Sequence, residues 1–122
     1  MTYKLSQRSL DRMKGVDEKL VRVIKRAIEL TPIDFTVTEG LRTPERQKEL
    51  VAKGASQTFN SKHIIGRAVD IAALPDNKLS WDVEHYITIS KYVKQAADEL
   101  GIKIRWGGDF KSFFDGPHYE LM

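Results

Sequence analysis

The sequence predicts a small α+β domain in which helices pack on an antiparallel sheet. An apolar stripe at helical spacing runs through residues 16–30, and apolar and polar residues alternate in residues 33–38. Further helical and strand segments are interleaved after them, a pattern typical of α+β proteins. The length of 122 residues fits a single domain, residues 1–122, with a modest core.

Helix signals are clear in the first half of the chain. The segment VDEKLVRVIKRAIEL, residues 16–30, has one apolar face and one charged face, and a shorter helix is expected from Ser6 to Met13. Thr43 followed by Pro44 predicts a helix start, because proline suits the first helical position. Gly54 predicts the end of that helix.

A longer helix is predicted from Trp81 to about Leu100, with Ser80 as its capping residue and Gly101 at its end. The residues expected on its buried side are Val83, Ile87, Val93, Ala96, Ala97 and Leu100. The predicted strands are residues 33–38, 67–74, 102–106 and 117–122. Residues 55–66 are polar and contain glycine, so we expect a loop there.

The composition limits the kinds of site that this chain can form. It has no cysteine, which excludes disulfides and thiolate metal ligands, and it has only three histidines, His63, His85 and His118. A net charge of +3 is compatible with an anionic partner, but the absence of a dense Lys/Arg cluster favours an ordinary soluble domain. No apolar run is long enough to span a bilayer, and the first ten residues have no secretion signal.

Asp70 is the first residue whose position indicates chemistry. In the predicted strand it shares a face with Ala68 and Ala72, whereas the opposite face carries Val69, Ile71 and Ala73. An aspartate between two alanines suits the floor of a cleft, where small neighbours leave room for a ligand. His63 precedes it in the loop.

The second segment of interest is DGPHYEL, residues 115–121, in which His118 and Glu120 share one face of the last predicted strand. If the two strands are close, His63, Asp70 and His118 converge as a zinc site with a fourth position open for water. Asp115 is then placed to act as general base and acid, and Arg42 to hold a substrate carboxylate or a developing oxyanion. Spacing alone equally allows a surface His63, an Asp70 that ends a turn and a core His118.

Three motifs, in this order, resemble those of a known family. GLRTPERQ, SKHIIGRAVD and DGPHYEL are similar to the arginine turn and the two metal-binding signatures of the LAS-type metallopeptidases, the D-Ala-D-Ala carboxypeptidases and dipeptidases and their relatives. The run WGGDFKSFFDGPHYEL most resembles the phage endolysin branch, the L-alanyl-D-glutamate peptidases. The resemblance extends from Glu39 to Leu121. Asp115 departs from the glutamate that is usual in the carboxypeptidase and dipeptidase branches, and so also favours the endolysin branch.

The resemblance implies roles for individual residues. It implies that one zinc ion is bound by His63, Asp70 and His118, that Asp115 is the catalytic carboxylate, and that Arg42 supports the substrate or the transition state. Four further residues are expected to contact the substrate or to orient the ligands: Ser61, Gln47, Trp106 and Glu120. The implied fold is a small antiparallel sheet with helices packed mainly on one side.

The implied activity is hydrolysis of the L-alanyl-D-glutamate bond in the peptidoglycan stem peptide. A D-Ala-D-Ala carboxypeptidase and a non-catalytic, zinc-containing wall-binding module are the alternatives. We expect a monomer whose partner is peptidoglycan, with no nucleic-acid partner, no stable membrane insertion and no separate wall-binding domain. The expected location is the host cytoplasm, from which the enzyme reaches the periplasmic wall after release.

Overall fold

The computed structural model describes residues 3–54, 62–111 and 114–122. Within these ranges the main elements are α1 (Gln7–Arg12), α2 (Glu18–Leu30), β1 (Phe35–Glu39), α3 (Pro44–Ala52), β2 (Ala68–Ala73), α4 (Val83–Leu100), β3 (Ile104–Trp106) and β4 (His118–Leu121). Short 3₁₀ turns cover Pro75–Asn77 and Gly107–Asp109. The strands form one sheet in the order β1-β2-β4-β3, and every neighbouring pair is antiparallel. The predicted α+β class is confirmed.

One face of the sheet carries the hydrophobic core. Its strand residues alternate with those of the opposite face, as the pleat requires. The core-facing strand residues are Phe35, Val37, Val69, Ile71, Ala73, Tyr119 and Leu121. Helices α2 and α4 pack against each other and contribute Leu20, Val23, Ile24, Ala27, Ile89, Val93 and Ala96 to the same core. The expectation that helices lie mainly on one side is therefore confirmed.

The central strands bring the two candidate site segments together. β2 and β4 are neighbours, and Asp70 lies directly opposite His118 in their register. Both side chains point away from the core, because Ile71 and Tyr119 next to them point into it. The pairing of β2 with β4 thus joins two segments that are 48 residues apart in the chain.

Helix α1 covers the free edge of β1. Ser9 Oγ accepts a hydrogen bond from the Val37 amide at 2.9 Å, and Arg12 Nη1 donates to the Val37 carbonyl at 2.9 Å. These two side chains satisfy backbone groups that an edge strand otherwise leaves open to another chain.

Several predicted helix ends are confirmed. Thr43 caps α3 by accepting a hydrogen bond from the Arg46 amide, and Pro44 occupies the first turn. The helix predicted over residues 16–30 begins at Glu18, because Asp17 caps it by accepting from the Lys19 amide. Gly101 ends α4 in the left-handed conformation, with φ of 68°, which favours glycine.

The start and the buried side of α4 differ from the prediction. The helix begins at Val83 after Asp82, not at Trp81, because Ser80 pairs with Ala73 as a bridge at the end of the sheet. Val83 and Ile87 are 50% and 42% exposed, so their predicted burial is wrong. The residues that the helix buries are Tyr86, Ile89, Ser90, Val93, Ala96 and Ala97. Tyr86 sets this rotation, since its hydroxyl accepts from the Ala73 amide and donates to the Ser80 carbonyl.

Among the residues that the structure describes, no helix is both long enough and apolar enough to cross a membrane.

Candidate metal centre and catalytic carboxylate

His63, Asp70 and His118 converge on the polar face of the sheet. Asp70 Oδ1 lies 3.2 Å from His63 Nε2 and 3.1 Å from His118 Nδ1. One ligand atom from each residue lies within 4.8 Å of the other two. His63 is buried in the loop that precedes β2, and His118 is buried at the start of β4.

The outer nitrogen of His63 is fixed by the backbone. His63 Nδ1 lies 2.8 Å from the Gly40 carbonyl oxygen, which can only accept, so Nδ1 carries the proton. The backbone also joins these loops, because the Arg42 amide donates to the His63 carbonyl at 2.9 Å. The turn after β1 therefore holds His63 with Nε2 directed at Asp70.

The outer nitrogen of His118 is held by a carboxylate. His118 Nε2 donates to Glu120 Oε1 at 2.8 Å, which leaves Nδ1 to face Asp70. Glu120 Oε2 also pairs with Lys62 Nζ at 3.1 Å. Lys62 in turn donates to the Leu121 carbonyl at 2.7 Å. Glu120 thus links β4 to the residue that precedes His63.

These three residues fit a metal ion. Ligand atoms about 2.1 Å from a tetrahedral zinc ion lie roughly 3.4 Å apart, close to the two short separations around Asp70 Oδ1. Ligand histidines normally donate their other ring N–H to a carbonyl or a carboxylate, which sets the tautomer. Here His63 and His118 do so to Gly40 and Glu120. The set forms a candidate metal site with nitrogen and oxygen donors only.

Burial and neighbouring charges shift the pKa values of Asp70 and His118. Burial acts to raise the pKa of Asp70, but hydrogen bonds from His118 and His63 outweigh it and hold that pKa well below its usual range. Burial acts to lower the pKa of His118, but the hydrogen bond and charge of Asp70 and the bond to Glu120 raise it overall. The carboxylate of Asp70 is therefore ionised and ready to bind a cation.

Asp115 lies beside this site. Its amide donates to the Gly107 carbonyl at 3.0 Å, and its carbonyl accepts from the His118 amide at 3.1 Å. A Cβ on Gly107 would overlap the Asp115 carbonyl, so this close approach requires glycine. Burial raises the pKa of Asp115, and the charge of Asp70 raises it further against the opposing charges of His118, His63 and Arg42.

Arg42 is buried in a network of polar side chains. Its Nε and Nη2 donate to the two carboxylate oxygens of Glu39 at 2.7 Å each. Nη1 donates to Gln47 Oε1 at 2.6 Å, and Nη2 lies 3.5 Å from Asp70 Oδ2. Glu39 and Gln47 therefore fix the guanidinium with one edge towards Asp70.

Trp106 supports the turn that carries Asp115. It is buried, and its Nε1 donates to the Gly116 carbonyl at 2.7 Å. Ser61, the remaining predicted contact, lies outside the described residues. Two features were absent from the sequence prediction, the Gly40 carbonyl and Lys62. A backbone carbonyl has no sequence signal, whereas the position of Lys62 next to His63 was a signal that could have been followed.

The comparisons with known proteins agree with one another. The family model of the phage L-alanyl-D-glutamate peptidases matches residues 1–122. The chain is 35% identical to the L-alanyl-D-glutamate peptidase of Escherichia phage T5, with 100% of both chains covered. It is 33% identical to the peptidoglycan L-alanyl-D-glutamate endopeptidase CwlK of Bacillus subtilis, over 74% of this chain and 62% of that protein.

A solved structure extends this similarity to three dimensions. The crystal structure of the L-Ala D-Glu endopeptidase ChiX from Serratia marcescens matches with a TM-score of 0.93 and 42% sequence identity. The match covers 99% of this chain and 91% of ChiX. From the family model and these relatives together, this chain belongs to the phage L-alanyl-D-glutamate peptidase family.

Proposed function

We propose that this chain is a zinc-dependent peptidase that hydrolyses the bond between L-alanine and D-glutamate in peptidoglycan stem peptides. The observation that carries the proposal is the convergence of His63, Asp70 and His118 beside the half-buried carboxyl group of Asp115. The choice of scissile bond is supported by the names of the relatives, and the choice of zinc by the two histidines and one aspartate of the site. Two imidazoles and one carboxylate are a usual set of catalytic zinc ligands.

Zinc, when bound by His63, Asp70 and His118, would polarise the scissile carbonyl and lower the pKa of water at the open position. The protein holds the ligand set ready for this role. Gly40 and Glu120 fix the two histidine rings, and Arg42 faces the second oxygen of Asp70.

Asp115 is proposed as the proton carrier. Its carboxylate accepts a proton from the attacking water as the oxygen–carbon bond forms. It then donates this proton to the nitrogen of D-glutamate as the carbon–nitrogen bond breaks, so that L-alanine leaves with a carboxyl group and D-glutamate with a free amine. The raised pKa of Asp115 suits both steps, because the group must be a base first and an acid afterwards.

Arg42 is proposed to stabilise negative charge that develops on the substrate during attack. Its guanidinium is held by Glu39 and Gln47, so little side-chain entropy remains to be lost when substrate binds. Trp106 is proposed to keep the Asp115 turn in place through its bond to Gly116. Ser61 stays a predicted substrate contact.

We further propose that the enzyme acts as an endolysin. The relative that matches over its whole length comes from a phage, which supports storage in the host cytoplasm and action on the periplasmic wall after release. The small net positive charge of +3 would favour contact with an anionic wall polymer.

The test is mass spectrometry of purified peptidoglycan after digestion with zinc-loaded protein, with Asp115→Asn as the control. We expect products with a free D-glutamate amine from the wild type. The Asp115→Asn variant should bind zinc normally but lose most activity. Free D-alanine with otherwise intact stems would instead identify a carboxypeptidase. Binding to the wall without cleavage would identify a wall-binding module.

A further inference from the structure

An aromatic cluster that exposes two of its three rings includes the residue that precedes the proposed catalytic carboxylate. We name it the aromatic platform and define it by the rings of Trp81, Tyr86 and Phe114. Trp81 is 59% exposed and Phe114 is 52% exposed, whereas Tyr86 between them is buried. Contiguous exposed apolar patches mark sites of interaction or ligand binding, whereas single exposed apolar residues are common on any surface.

The Trp81 side of the platform is held rigidly. Its indole stacks on the Tyr86 ring with a centroid distance of 6.0 Å and an interplanar angle of 2°. Tyr86 is itself fixed, because its hydroxyl donates to the Ser80 carbonyl at 2.7 Å and accepts from the Ala73 amide at 3.1 Å. Trp81 therefore presents a flat face to solvent on a base that is tied to the end of β2.

The Phe114 side reaches the catalytic turn. Phe114 packs edge-on against Trp106, with ring centroids 5.8 Å apart. Gly116 lies between Phe114 and Tyr86. A Cβ atom added at Gly116 would lie 3.0 Å from Phe114 Cε1 and 3.1 Å from Tyr86 Cβ. The two exposed rings, Trp81 and Phe114, are thus linked through the buried Tyr86 and Gly116, and Phe114 immediately precedes Asp115 in the chain.

We propose that the aromatic platform binds a sugar ring of the peptidoglycan glycan strand. The proposal rests on the proposed function. L-alanine is the first residue of the stem peptide and is joined to a sugar, so a sugar lies about one residue, roughly 3.5 Å of chain plus its linker, from the scissile bond. Pyranose rings present flat C–H faces, and a rigid, exposed aromatic face matches them in shape and polarity.

The neighbouring side chains define the alternatives that the experiment must separate. Leu79, Val83 and Ile87 are also exposed near Trp81 and enlarge the apolar area. A lipid surface or a second copy of the chain would use these aliphatic groups together with the indole. A sugar subsite would depend on the aromatic faces instead, and its effect would be confined to substrates that carry sugar.

The test compares two substrates with the same scissile bond, a stem peptide that is still linked to its disaccharide and the same peptide without sugar. For Trp81→Ala we expect kcat/KM on the disaccharide-linked substrate to fall about tenfold, equivalent to about 1.4 kcal/mol. On the sugar-free peptide it should change less than twofold. Trp81→Phe should recover much of the loss. Tyr3→Ala is the matched control, because Tyr3 is a partly exposed aromatic that donates to Pro32, away from the platform.

A second measurement uses binding alone. Peptide-free glycan strands, which lack the scissile bond, are titrated by calorimetry into zinc-loaded wild-type protein and into zinc-loaded Trp81→Ala, and we expect the variant to bind about tenfold more weakly. Equal losses on both substrates, or unchanged glycan binding, would overturn the sugar subsite. Loss of vesicle binding or of a dimer in Trp81→Ala, with glycan binding intact, would overturn it in favour of the alternatives. If the wild type cleaves neither substrate but binds glycan through Trp81, the proposed peptidase activity is contradicted, whereas sugar binding by the aromatic platform is supported.

Discussion

The two faces of β2 and β4 differ sharply in the side chains that they carry. On one face Val69, Ile71 and Tyr119 are fully buried against helices α2 and α4. On the other face Asp70, His118 and Glu120 form a charged network. Because side chains alternate along a strand, the two environments are separated by a single residue step.

This difference indicates that stability depends mainly on one face of the sheet and metal binding on the other. Burial of apolar area on the core face stabilises the domain. Charged groups on the polar face lose part of their hydration, and their mutual contacts offset that loss without a large net gain. Substitutions at adjacent residues should therefore separate stability from metal binding, and the predictions below are ordered by the size of the expected effect.

The largest effect is expected for Asp70→Asn. The change keeps the shape of the side chain but removes the anionic ligand. Zinc affinity should fall by more than about 100-fold, which exceeds the loss usual for residues that only hydrogen-bond to a metal ligand. Activity should fall with it. Competition with a chromophoric zinc chelator measures the affinity, and wild-type affinity in Asp70→Asn would contradict the ligand assignment.

The matched control is Ile71→Val, a substitution at the next residue of β2. It removes one methylene from the core face, so the free energy of unfolding should fall by about 0.5–1.5 kcal/mol. Zinc affinity should stay close to that of the wild type. A loss of zinc in Ile71→Val as large as that in Asp70→Asn would mean that the two faces are not independent.

Glu120→Gln should have the next largest effect. The amide oxygen can still accept from His118 Nε2, but the negative charge that strengthens this bond is gone. Zinc affinity should fall about 10–100-fold, as for other outer partners of ligand histidines. Lys62→Met is the control, because it leaves the contact between His118 and Glu120 in place. An equal or larger loss in Lys62→Met would show that Lys62 fixes the site.

A pH series distinguishes the metal-free from the metal-bound protein. The pKa of His118 is raised in the metal-free protein, so its charged contacts stabilise the fold below the unfolded pKa, and this stability is lost as pH rises through the raised value. Zinc binding needs the Nδ1 lone pair and should weaken about tenfold per pH unit below that value. Thermal unfolding in chelator and zinc competition measure the two opposite trends. Parallel trends would contradict this account.

Much of the fold could be predicted from the sequence because the patterns were local. Alternation in residues 33–38 predicted the faces of β1, and Thr43–Pro44 predicted the start of α3, which the structure confirms. The buried face of α4 could not be predicted from such a local pattern. Val83 and Ile87 fit an apolar stripe, but the non-local bond from Tyr86 to Ala73 selects a different face.

The site was predictable to the extent that it depends on side-chain type. The charged residues on β2 and β4 had a clear signal, because a polar residue interrupts an otherwise apolar strand. The Gly40 carbonyl that holds His63 had none, since every residue has a carbonyl and only the tertiary fold selects one. The roles of Asp115 and Arg42 in catalysis, and of Ser61 as a contact of the substrate or the ligands, stay predictions.

The smallest effect concerns a polar atom on the apolar face. The hydroxyl of Tyr119 is buried and has no hydrogen-bond partner among the described residues, and burial raises its pKa. Tyr119→Phe should therefore raise the free energy of unfolding by about 1 kcal/mol. Tyr86→Phe should lower it by about the same amount, because that hydroxyl bonds to both Ser80 and Ala73. Urea unfolding in chelator measures both changes. A loss of stability in Tyr119→Phe would mean that its hydroxyl has a partner, and that the core face is less strictly apolar than its alternation with the polar face indicates.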